Sequence, residues 1–83
     1  MFNFQEHEKV AISKGYKKVG KYYELERGSY THQIWFIREH NCIRMKAWVT
    51  GQFDTNTYNS GVFDAEKVGL QMFKDLLEFF LNN

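Results

Sequence analysis

Between Lys21 and Val49 the chain alternates along three short runs separated by turn-forming residues. Alternation with a period of two marks half-buried strands, and no other feature constrains the fold as strongly. One residue set reads Tyr23, Leu25, Ile34, Phe36, Ile43, Met45, Ala47 and Val49, and forms the expected core face. The opposite set reads Tyr22, Trp35, Ile37, Arg44, Lys46 and Trp48. Two tryptophans, a tyrosine and two cations on the outer face of a small sheet predict a binding surface.

Turn chemistry supports this division. A two-residue hairpin with His40-Asn41 at its tip suits Asn, which tolerates positive φ. That tip pairs Ile37 with Arg44, Phe36 with Met45, Trp35 with Lys46 and Gln33 with Trp48. A second tip at Gly28-Ser29 pairs Leu25 with His32, Tyr23 with Ile34 and Tyr22 with Trp35. The two turns independently place the same residues on the same face, and a one-residue slip in either would destroy the agreement.

Two helices flank the runs. Asn3 followed by Glu6 has the spacing of a capping box, and Gly15 stands where a glycine closes a helix, so the first helix is expected over about 4–14. Its inward stripe is thin: Phe4, His7 or Glu8, Ala11 and Ile12. Residues 16–26 read as one strand with a bulge or bend at Gly20. Gly51 to Gly61 is rich in Thr, Asn, Asp, Ser and Gly and reads as a loop, with room for a short further strand. Asp64 is an N-cap for a last helix running from Ala65 to about Leu81. The apolar residues of that helix cover more than half its circumference, whereas a surface helix needs a stripe of only about 100°. The excess predicts packing beyond one sheet face, against the first helix, a partner, or a second copy in a homodimer through Leu70, Leu77 and Leu81. The expected architecture is α+β, a three-stranded antiparallel meander in the order α-β-β-β-α, with residues 1–83 as one domain.

Composition narrows the function classes. Eighty-three residues bury a thin core, about 60% of the unfolded surface, and an aromatic content of 18% offsets this by area per residue. Eleven basic residues against ten acidic ones, with a pI near 7.9, give no global attraction to nucleic acid or anionic membrane. The single cysteine, Cys42, excludes an internal disulfide framework. No apolar run approaches the ~20 residues of a membrane span, and the Met1–Glu6 start lacks signal-peptide character. The expectation is a cytoplasmic location without a membrane partner. Proline is absent and Lys, Asn, Phe and Tyr are plentiful, a composition of AT-rich genomes such as those of many phages.

Chemistry-bearing motifs are sparse. His7, His32 and His40 lack metal-ligand spacing and read as solvated or edge histidines. Asp54-Thr55-Asn56-Thr57-Tyr58 resembles the start of a calcium loop, but Asn59 and Ala65 occupy the positions of its turn glycine and bidentate acid. Ser29 and Ser60 have no nearby base. No catalytic residue, metal site or cofactor is therefore expected. The outer-face aromatics admit three readings: recognition of a partner, cross-strand packing alone, or burial under the first helix.

The order helix-strand-strand-strand-helix resembles the double-stranded-RNA-binding fold. Within it, Lys14-Gly15-Tyr16 and Leu25-Glu26-Arg27-Gly28-Ser29-Tyr30-Thr31-His32 resemble ribonuclease toxins of the HicA family, which carry a glycine-serine-histidine cluster at the second strand. That resemblance implies His32 as catalytic histidine. Here Tyr30 and Thr31 separate the histidine from Gly28-Ser29, and the last helix begins Asp64-Ala65-Glu66-Lys67 in place of a lysine-rich start. Small phage-encoded inhibitors of bacterial defence systems are similar in size and element order. The leading expectation is a non-enzymatic protein-interaction module, of phage or mobile-element type, that binds a host protein. The alternative is a nucleic-acid-binding domain, including a HicA-like ribonuclease toxin using His32.

Overall fold

The computed structural model describes residues 3–51 and 57–81. Helix α1 (Gln5–Ser13) precedes strands β1 (Lys17–Val19), β2 (Tyr22–Arg27) and β3 (Tyr30–Ile37). A 3-10 turn (Arg38–His40) leads into β4 (Cys42–Val49), β5 (Thr57–Asp64) and helix α2 (Leu70–Leu81). The strands form one antiparallel sheet in the order β1-β2-β3-β4-β5, so each strand pairs with its neighbours in sequence. The α+β class and the meander stand, but the expected three strands are five.

Both additional strands arise where the sequence looked irregular. Residues 16–26 are a hairpin: Gly20, at φ 59°, turns the chain so that Val19 pairs with Tyr22. In the expected loop, residues 52–56 lie outside the described residues, but from Thr57 onward the chain pairs with β4. An edge strand has one neighbour and little to bury, so its composition resembles that of a loop. Gly61 within β5 is covered by its own strand, since a Cβ built there would lie 2.9 Å from the Phe63 ring.

The β2–β3 hairpin has the expected tip, with Arg27 paired to Tyr30 across Gly28-Ser29. The β3–β4 register differs. Ile37 pairs with Cys42, Phe36 with Ile43 and Trp35 with Arg44, a shift of two residues from the expected pairing. The 3-10 turn lengthens the connection, and Asn41 takes the left-handed conformation at φ 50°. A shift of two leaves every side chain on its expected face, because the side-chain period is two.

Both helices pack on the core face. Phe4 and Ala11 join Tyr23, Ile34, Ile43, Met45, Ala47, Phe73 and Leu77 in one cluster, with Phe36 against it. Phe36 stands 5.1 Å from Phe4 and 5.9 Å from Phe73 between ring centroids. Helix 1 therefore does not cover the outer aromatics, and that reading is removed. Its C-terminus closes as a Schellman motif: the Tyr16 N–H donates to the Ala11 carbonyl and the Gly15 N–H to that of Ile12. Gly15 supplies the required positive φ, 99°. At the N-terminus Asn3 Oδ1 accepts from the Gln5 N–H at 2.8 Å. Lys14, the C-cap of α1, forms an ion pair with Glu78 of α2.

The last helix begins five residues later than expected. Asp64 ends β5, its Oδ1 accepting from the Glu66 N–H and its carbonyl from Lys67 and Val68, which makes a separate turn that buries Ala65 and Val68. Gly69, the residue least suited to a helix interior in this stretch, separates that turn from α2. Leu77 and Leu81 are buried in this chain, and Leu70 is half-buried, so these leucines are not a free dimer surface. Among the described residues of α2, Met72 and Phe79 are the exposed large apolar ones. Among the described residues no helix is long and apolar enough to cross a membrane.

His7 corrects the expectation of a solvated histidine. It is 4% exposed and lies among Phe4, Phe36 and Phe73. Burial pushes its pKa down, opposed by a backbone hydrogen bond with Val68 and by the charge of Glu6.

Candidate binding face

The sheet face opposite the helices is organised in rows set by the strand register. One row crosses all five strands as Val19, Tyr22, Trp35, Arg44 and Val62. Its ends are open, with Val19 41% and Val62 65% exposed, and Arg44 is also exposed. At its centre the rings of Tyr22 and Trp35 lie 4.7 Å apart with 30° between their planes, and both are half-buried. The Trp35 Nε1–H is enclosed and has no acceptor among the described residues.

The adjoining row runs Lys17, Glu24, Gln33, Lys46 and Ser60. Gln33 Nε2 donates to Glu24 Oε1 at 2.9 Å, which ties β2 to β3 on this face. At one end of the face Ile37 pairs with Cys42 and Cys42 with Asp64. At the other, Trp48 pairs with Thr31. Tyr22, Trp35, Ile37, Arg44, Lys46 and Trp48 thus share a face, as expected. Trp48 is the exception in presentation: it is 6% exposed and lies outside the main core cluster, at an irregularity of the β4–β5 ladder. It does not offer its ring to a partner. Val19 escapes the sequence reading because residues 16–26 read as one bent strand and not as a hairpin, and Val62 because most of β5 reads as loop. The signal for Val62 was the short alternation Ser60-Gly61-Val62-Phe63, which the polar residues around it obscured.

Charge on this face is balanced. Lys17 and Lys46 share a row with Glu24, while Arg44, Glu26 and Asp64 stand in three separate rows of the same face. A phosphate polymer is bound through a single-sign basic surface, and this face is not one.

A cleft of about 360 Å³ adjoins Trp35 and is also lined by Glu8, Lys18, Lys21, Tyr23 and Arg38. Glu8 organises one wall, accepting from the Tyr23 hydroxyl at 3.1 Å and from Arg38 Nη2 at 2.8 Å. Burial first, and then the hydrogen bond with Glu8, raises the Tyr23 pKa.

His32 is on the core face, opposite the binding row, paired with Leu25 and Ala47. It is 3% exposed, contrary to the edge position expected for it, and burial, followed by the charge of Arg27, lowers its pKa. A histidine cutting RNA must reach its substrate, and this side chain faces the protein interior. His40 is exposed in the 3-10 turn. Among the described residues, no group of three or more His, Cys, Asp or Glu side chains is placed to hold a metal ion.

No family model matches the chain, and neither a curated protein nor a solved structure shows significant similarity to it.

Proposed function

We propose that this chain is a non-enzymatic protein-binding module that docks a partner protein on the open face of its sheet. The observation that carries this reading is the row Val19, Tyr22, Trp35, Arg44 and Val62, which runs across all five strands away from both helices. Aromatic and arginine side chains at the centre of a patch are the residues that dominate protein interfaces. Trp35 favours recognition over packing alone, because phenylalanine would fill the same stack without enclosing an N–H that lacks an acceptor among the described residues. The balanced charge of the face favours a protein over a nucleic acid. In the biological setting we propose, a phage or mobile element encodes the module and it occludes or redirects a host protein. The size and AT-rich residue usage of the chain suit that setting.

The test is capture from a bacterial lysate by the purified protein, with and without nuclease, comparing wild type with Trp35→Ala and Arg44→Glu. The reading expects a protein captured by wild type after nuclease treatment and lost with both variants, while both still melt cooperatively. Capture that vanishes with nuclease, or that both variants retain, rejects it.

A further inference from the structure

The two edges of the sheet are built differently. β1 is three residues long and two of them are lysines. Short length and lysine are the usual protections of a free edge against pairing with another chain. β5 is eight residues long, Thr57–Asp64, and contains no lysine, arginine or proline. Its single charge, Asp64, lies at its C-terminal end. From Asn59 to Asp64 it pairs with β4 without interruption, so that stretch is straight enough to template another strand. Among the described residues, the backbone–backbone hydrogen bonds of 57–63 run to β4. In the order of the sheet β5 is an edge strand with β4 as its neighbour, and the N–H and C=O groups of its far side face away from the sheet.

We propose that β5 pairs antiparallel with β5 of a second copy of this chain across a two-fold axis perpendicular to the sheet. Such an axis preserves the faces, so the two five-stranded sheets join into one with all helices on the same side. Charge favours a second copy as the occupant. With the axis at Gly61, Asp64 falls opposite position 58 of the other copy, and no like charges are opposed. Val62, 65% exposed at the end of the open row, then stands beside the seam. With that axis Val62 falls opposite position 60 of the other copy, so the open row of one copy continues into the adjoining row of the other, the one that holds Lys46. This assembly differs from a dimer through α2, whose Leu77 and Leu81 are consumed by the core, and it does not depend on the open face having a partner.

Sedimentation of the full chain across micromolar concentrations, with amide hydrogen exchange on the same samples, tests the proposal. The expected result is a concentration-dependent dimer in which the amides of 57–64 gain protection as the dimer forms. Val62→Lys, which adds the edge lysine that β5 lacks, should shift the dimer to monomer with an unchanged circular dichroism spectrum, whereas Phe79→Lys on α2 should not. A monomer at every concentration overturns the proposal. So does a dimer whose β5 amides gain no protection, or one lost with Phe79→Lys and kept with Val62→Lys. Protection of β5 that appears only when a foreign protein is added would assign the edge to that protein's strand and equally overturn self-pairing.

Discussion

The imidazole of His7 lies 5.0 Å from the ring of Phe73, centroid to centroid, and through this contact α1 meets α2 over the sheet. A histidine so enclosed is held neutral. Burial lowers its pKa below the ordinary value of 6.5, and the same holds for His32 on the core face.

Stability should therefore depend on pH in one direction. Where the folded-state pKa of a histidine is depressed, the unfolded chain binds the proton more readily, so stability is full above the unfolded value of 6.5 and falls as pH drops from there toward the folded value. The urea midpoint should be lower at pH 5.5 than at pH 7.5, above the ordinary carboxylate range. His7→Phe should flatten that slope. A midpoint that rises on acidification over this window would contradict the burial of both histidines.

Core and face substitutions should rank in a fixed order. Phe36→Ala removes a ring that meets Phe4, Phe73, Tyr23 and His7, and should cost about 3–5 kcal/mol. Met45→Ala should cost about 2–5 kcal/mol, since Met45 is 1% exposed. Trp35→Ala should cost less than either, because its face is open. Urea melts in which Trp35→Ala is the most damaging of the three would invert the assignment of faces.

The two sides of α2 should respond differently. Leu77 is fully buried, and Leu77→Ala should destabilise by about 2–5 kcal/mol. Phe79 is 59% exposed, and Phe79→Ser should stay within about 0.5 kcal/mol of wild type. Thermal melts measure both, and equal losses would mean that α2 is rotated from the position described.

Gly15→Ala should destabilise by about 1–2 kcal/mol, the cost of a left-handed conformation for a residue with a Cβ. The cost is in the backbone, at φ 99°, because the added carbon would meet Leu25 Cδ1 at an ordinary 3.6 Å. Gly28→Ala, also at positive φ with open space around it, should show a comparable loss in urea melts. A neutral result at Gly15 would show that the Schellman closure of α1 contributes little.

The sequence by itself determined which residues share a face. Alternation is local, and pairing slips that preserve it come in steps of two, so Tyr22, Trp35, Arg44 and Lys46 shared a face even though the β3–β4 register differed from the expected one. The β2–β3 hairpin was legible for the same reason, since Gly28 suits the turn and the flanking residues alternate. Tertiary structure alone decided how many strands join the sheet, because β1 and β5 each have one neighbour and need little apolar content to hold their place. It also decided that both helices pack on one face. That choice depends on the total area each layer can bury, and no local period encodes it. Burial of His7 among phenylalanines and of His32 on the core face followed from that packing. A histidine or tryptophan carries no local pattern that tells a solvated position from an enclosed one, since the neighbours that enclose it are distant in sequence.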